Sequence, residues 1–108
     1  MPYKVILTED AYQDLCDIID YIAGVESNAR ALHVLGKIEA VISSLSENPE
    51  RGTRVKELID LGATDFRELH FKPYRIIYWV KDKSVYVMVI TDDRRDMQTL
   101  LQRRLLDM

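Results

Sequence analysis

Cysteine is almost missing from this chain. Cys16 is the single one in 108 residues, so no internal disulfide can form and a reducing compartment fits best. On a helix that thiol reads as a small buried hydrophobe. Histidine is also scarce: His33 and His70 are far apart and, with one cysteine, make no tetrahedral nitrogen and sulfur set. No metal or other cofactor is therefore expected. The four glycines are scattered, which leaves no glycine-rich phosphate loop and no nucleophile elbow. No apolar run approaches the roughly 20 residues that span a bilayer. The opening MPYKVILTED has no apolar core of a signal peptide. A cytoplasmic protein without a membrane partner is the expectation.

What is present is ordinary for a folded protein, with 47% apolar and 31% charged residues. Residues 1–108 are expected to form one domain with one core. The net charge of −3 conceals an asymmetry. Residues 1–26 carry Lys4 against Glu9, Asp10, Asp14, Asp17, Asp20 and Glu26. Residues 66–106 carry nine bases against five acids. Such polarity suits a basic working face, and equally suits internal ion pairing.

Tyr3 to Leu7 reads as a short strand. Thr8 then caps a helix whose apolar stripe is Ala11, Leu15, Ile18, Ile19 and Ile22, ending at Gly24. Asp10, Asp14, Asp17 and Asp20 fall on the other side, as a solvated face. Ser27 or Asn28 caps a second helix with Ala31, Val34, Leu35, Ile38, Val41, Ile42 and Leu45 on one stripe, stopped by Pro49 and Gly52. Together these make an αα-hairpin. Residues 46–64 stay undecided. Val55, Leu58, Ile59 and Leu61 suit either a half-turn of helix or an irregular segment over a sheet edge.

The chain from Phe66 onward is β-rich. FRELHF alternates, with Phe66, Glu68 and His70 on one face and Arg67, Leu69 and Phe71 on the other. Tyr74 to Lys81 and Val85 to Ile90 are β-branched and aromatic, joined through Asp82-Lys83-Ser84 as a hairpin. On the first of these strands Tyr74, Ile76, Tyr78 and Val80 share a face, opposite Arg75, Ile77, Trp79 and Lys81. Five charges, Asp92 to Asp96, follow, and then a tail helix with Leu100, Leu101 and Leu105 on one side. The expected fold is α+β: an antiparallel sheet with the helical hairpin on one face, in the order β-α-α-β-β-β, and a short C-terminal helix. The other face is expected to stay half open, apart from whatever the tail covers, as a seat for a partner or nucleic acid.

The chemistry-bearing residues are basic and aromatic: Arg67, His70, Lys72, Tyr74, Arg75, Tyr78, Trp79, Arg94 and Arg95. Arginines and a histidine beside aromatics can bind RNA and stabilise a phosphorane without a metal. The same arginines can instead pair with Asp92, Asp93 or Asp96 and hold the sheet edge. Residue types leave both readings open.

The stretch PYRIIYWVKDKSVYVMVITDDRRDM, preceded by this order of elements, resembles the RelE/ParE superfamily of bacterial type II toxins. The Pro-Tyr-Arg-aliphatic-aliphatic-Tyr strand, the hairpin and the Arg-Arg-Asp exit carry the likeness. It implies a small toxin neutralised by a cognate antitoxin whose extended tail wraps it. In the RelE-type branch of ribosome-dependent mRNA endonucleases, Arg75 and Arg95 would match the two arginines of the site. Phe66 and Glu68 stand where that branch has lysines, with Arg67 between them, and Leu101 stands where it has a tyrosine. The ParE branch is the better match: it has a long helical hairpin, a Pro-Tyr-Arg motif and an Arg-Arg pair, without the nuclease set. Where many relatives have a histidine before that pair, this chain has Asp92-Asp93.

The resemblance thus implies a plasmid-stabilisation type of toxin that inhibits growth by binding DNA gyrase. The alternative is a metal-independent ribonuclease acting on ribosome-bound mRNA through Arg75 and Arg95, with His70 or Arg67 as acid or base. The antitoxin is expected to be acidic and partly disordered. Its contacts are expected at Arg67, Tyr74, Arg75, Trp79, Arg94, Arg95 and the tail's Leu100, Leu101 and Leu105, with Leu100 and Leu105 facing solvent. Self-association as a homodimer is left open by the sequence.

Overall fold

A computed structural model describes residues 2–106. The order of elements is β1 (Lys4–Leu7), α1 (Glu9–Val25), α2 (Asn28–Ser43), β2 (Thr53–Arg54), α3 (Lys56–Ile59), β3 (Phe66–Phe71), β4 (Tyr74–Lys81), β5 (Ser84–Asp92) and α4 (Met97–Leu101). A 3-10 turn over Ser44–Ser46 extends α2, and a π-type turn over Gln102–Leu106 extends α4. No helix among the described residues is long and apolar enough to cross a membrane.

Both long helices begin where a side chain can take up a free backbone donor. The Thr8 hydroxyl accepts from the Ala11 N–H at 3.1 Å, and the Ser27 hydroxyl from the Arg30 N–H at 3.0 Å. Gly24 does not end α1, which runs one residue further and closes with the Glu26 N–H on the Ile22 carbonyl. The short break before Ser27 turns the chain back, and the two helices pack side by side.

The strands form one five-stranded sheet in the order β1-β5-β4-β3-β2. It is antiparallel except at β1, which lies parallel to β5 because the helical hairpin carries the chain back over the sheet. The β4–β5 connection is tighter than the three residues expected: Lys81 pairs with Ser84, leaving Asp82-Lys83 as the turn. Asp82 takes φ 56° there, a left-handed value that aspartate tolerates better than most residues. A bulge interrupts the ladder, with Ile77 opposite Val89 and Tyr78 opposite Val87. The extra residue, Met88, falls on β5, so the alternation along β4 is undisturbed.

One face of the sheet holds the main core. Tyr78, Ile76, Val85 and Val87 meet Ile38, Val34 and Ala11 of the helices there, all at or near zero exposure. The opposite face is not half open where the tail lies. Val55 and Leu58 around α3 and Met97, Leu101 and Leu105 of the tail close over Ile77 and Val89 as a second core. Leu100, Leu101 and Leu105, expected as partner contacts with Leu100 and Leu105 facing solvent, are buried instead, each under 8% exposed. Apolar area is removed from water by this docking, and the tail's leucines are used up in it.

The formerly undecided residues 46–64 supply β2 and α3. Their approach to the sheet is close: the Gly52 N–H donates to the Tyr78 hydroxyl at 3.0 Å in the interior. A Cβ on Gly52 would stand 2.6 Å from both that hydroxyl and the Glu68 carbonyl, so only glycine fits.

One acid leaves the solvated face assigned to it. Asp14 accepts the Ile90 N–H at 3.0 Å and is gripped by Arg104 through two hydrogen bonds of 3.1 and 3.0 Å. Arg104 also donates to the Met88 carbonyl at 3.1 Å. Strand β1 ends before this point, and the pair satisfies backbone groups of β5 that no strand covers.

Candidate functional site

The alternation along β4 sends Arg75 and Tyr74 to opposite faces, and the two belong to different clusters. Arg75, 8% exposed, points to the face of the second core. Its Nε donates to Glu68 Oε1 at 2.6 Å and Nη2 to Glu68 Oε2 at 2.9 Å. Nη1 and Nη2 donate to the two Glu57 oxygens at 2.8 Å each. The guanidinium is thus held in two bidentate pairs, the strongest arrangement open to it. The bond to Glu57, reinforced by Glu68, holds its pKa above the ordinary arginine value against the opposing effect of burial. Reciprocally, Arg75 holds the Glu57 carboxyl below the usual carboxylate range.

None of the three acids expected at the strand exit takes part. Glu68 comes from β3, where it lies next but one to the position opposite Arg75 in the ladder, and Glu57 comes from α3. Exposed His70 adds a contact of 3.0 Å from Nε2 to Glu68 Oε1. Arg67, on the other face of β3, donates to the Gly52 and Glu50 carbonyls at 2.8 and 3.2 Å and holds that loop.

Tyr74 opens on the second cluster. A cleft of about 330 Å³ lies between α1 and the strand exit, lined by Asp17, Ile18, Tyr21, Tyr74, Asp92, Arg94 and Arg95. Burial and the neighbouring Asp92 push the Tyr74 phenol above its ordinary pKa. Arg94 folds back on Asp92, its Nε donating to Oδ1 at 2.9 Å, and this keeps the Asp92 carboxyl below the usual range. Arg95 is exposed, and its side chain makes no hydrogen bond among the described residues. Trp79 belongs to neither cluster and lies two turns of the β-pleat beyond Arg75.

Glu57 and Tyr21 were not singled out by sequence, and Asp17 was read only as part of a solvated face. Asp17 and Tyr21 sit four residues apart on α1, on one side of it, but the apolar stripe beside them masks the signal. Glu57 lies in a segment with no periodicity to orient it. Among the described residues no cluster of histidine, cysteine and carboxylates is placed to hold a metal ion.

A family model described as the ParE toxin of a type II toxin–antitoxin system, parDE, matches residues 5–97. The chain belongs to the ParE toxin family. No curated protein sequence matches it.

Solved structures share the fold at low identity. A chromosomal ParDE toxin–antitoxin system from P. aeruginosa aligns with a TM-score of 0.70 and 19% identity, over 83% of this chain and 95% of that one. The toxin–antitoxin complex RelBE2 from Mycobacterium tuberculosis gives 0.61 and 19%, over 85% and 92%. A free E. coli toxin RelE with two arginines mutated gives 0.63 and 17%, over 98% and 100%. Solved ParDE and RelE structures alike therefore share this chain's fold.

Proposed function

We propose that residues 1–108 act as a ParE-like toxin domain that inhibits DNA gyrase by binding, in the cytoplasm, and is neutralised by a cognate antitoxin. The observation that carries the binding reading over RNA cleavage is the state of Arg75. To stabilise charge developing on a phosphate, an arginine must turn free donors towards it. Arg75 directs its donors at Glu57 and Glu68 instead. A phosphate arriving there would also meet two carboxylates, whose charge opposes it. Phe66 and Glu68 stand at positions where cationic lysines would serve cleavage, and Leu101 is buried at the position of the tyrosine. What is left of the ribonuclease set is Arg95 and exposed His70, on different clusters.

The exit cleft is the contact surface in this reading. It joins an apolar floor of Ile18, an aromatic rim of Tyr21 and Tyr74, and the exposed cation Arg95, beside the Arg94–Asp92 pair and Asp17. Those features suit an acidic antitoxin segment carrying an apolar side chain. Purified toxin at saturating concentration should inhibit supercoiling by gyrase and accumulate cleaved DNA. The absence of both effects refutes the gyrase target. New cuts in ribosome-bound mRNA, mapped by primer extension after induction, would establish the endonuclease alternative.

A further inference from the structure

Beside the second core, the sheet face opposite the helices carries two rows of side chains, of which Phe66 packs against the edge of that core. The register aligns Phe66 on β3 with Trp79 on β4, and Trp79 with Tyr86 on β5. All three are half-buried. Their rings touch in sequence, with centroids 6.5 Å apart for Phe66–Trp79 and 6.1 Å for Trp79–Tyr86, both tilted near 40°. Two residues along the strands, hence on the same face, the register aligns Lys4 with Ser84 and Ser84 with Lys81. Both lysines are exposed, and Lys81 Nζ lies 5.5 Å from the Trp79 ring centroid.

We propose that this face binds single-stranded nucleic acid, with bases stacking on the Phe66–Trp79–Tyr86 row and phosphates held by Lys4 and Lys81. The aromatic row offers π-faces that accept any base. The cationic row runs beside it, roughly 7 Å away along the strands, where a strand lying across the sheet would pass its backbone. The charge is complementary: apart from the turn's Asp82, the residues of these rows carry only positive charge. Lys81 over Trp79 is a surface cation–π contact, weaker than base stacking on an aromatic, so an arriving base displaces the ammonium towards the phosphate. A compact duplex cannot present its base faces to the row. This surface is separate from the exit cleft and does not depend on gyrase being the target.

Trp79 is the one tryptophan of the chain, so its fluorescence reports the site directly. Titrating the 108-residue chain with a short oligothymidylate at low salt should quench Trp79 emission. Binding should weaken with salt with a log–log slope of about −1.4, as two lysines each release about 0.7 of a counterion from a single strand. Oligouridylate, differing in its sugar, distinguishes RNA from DNA as the preferred strand, and quenching by either supports the proposal. The K4E/K81E double variant, altered at exposed positions only, should keep the emission spectrum of the free protein and lose about tenfold or more in affinity. Three results overturn the proposal: no quenching by either oligonucleotide, unchanged affinity in K4E/K81E, or equal quenching by an oligoglutamate peptide. The last would identify the face as a seat for an acidic protein segment.

Discussion

Arg75 and Glu57 are 18 residues apart in the chain and joined by two hydrogen bonds of 2.8 Å, from Nη1 and Nη2 to the two carboxylate oxygens. That pair fastens α3 to the centre of the sheet. It also explains why a motif arginine, expected at a working surface, is a structural residue: Glu68 on the neighbouring strand completes its coordination inside the protein.

Arg75→Ala should therefore act first on stability. It leaves Glu68, 6% exposed, and Glu57 beside one another without their cation. Removing one partner of a buried ion pair costs about 3–5 kcal/mol, measurable as a lowered midpoint in urea unfolding. Replacing Arg75, Glu57 and Glu68 together by apolar residues of similar volume should restore most of the loss. A single variant that unfolds at the wild-type midpoint would contradict the assignment.

Acid should loosen the same joint. The folded-state pKa of Glu57 lies below its unfolded value because Arg75 stabilises the carboxylate. Its contribution is thus complete above the unfolded pKa and fades as pH falls through the folded one. Asp92 and Asp96 shift in the same direction, through Arg94 and Thr99 respectively. Stability followed by urea titration should drop from neutral pH into the acid range. In Glu57→Gln, already weaker at neutrality, that drop should be shallower.

Leu101→Ala should destabilise the fold rather than selectively weaken partner binding. The side chain has no exposure and sits between α3 and the sheet, and truncating such a leucine costs about 2–5 kcal/mol. Unfolding by denaturant and antitoxin affinity, measured on the same preparation, separate the two effects. A selective loss of affinity at unchanged stability would show that the tail leaves the core when a partner binds.

Arg95→Glu should behave in the opposite way. The residue is exposed and its side chain makes no hydrogen bond among the described residues, so the unfolding midpoint should stay within about 0.5 kcal/mol of wild type. Reversing a rim charge slows association with an acidic partner and weakens its salt dependence. A loss of roughly tenfold in antitoxin affinity is expected at low salt, read by calorimetry or surface binding. Unchanged affinity would remove the exit cleft from the antitoxin interface.

Much of the frame was legible in the residues themselves. Thr8 and Ser27 cap the helices as their types suggest, because capping depends on neighbours three residues away. The two faces of β4 were readable from alternation alone, since a strand's period is two and the bulge fell on β5. The Tyr74, Arg94 and Arg95 side of the exit cleft was likewise visible as a motif. Its α1 side was not, because Asp17 and Tyr21 become neighbours of the exit only when the helix lies across the sheet.

The sequence by itself determined the order of the elements outside residues 46–64, the starts of the two long helices, their apolar stripes and the faces of the strands, all set by contacts within a few residues along the chain. Only the tertiary structure decided what each charge and each exposed leucine would do. Asp14 looked like one of four solvated acids until Ile90 and Arg104 came to it from 76 and 90 residues away. Leu101 looked like a contact surface until α3 supplied the other half of a core. Arg75 looked like a phosphate binder until Glu57, in a segment with no period to orient it, closed its coordination. Burial and ion pairing depend on what arrives from elsewhere in the chain, and local pattern carries no record of that.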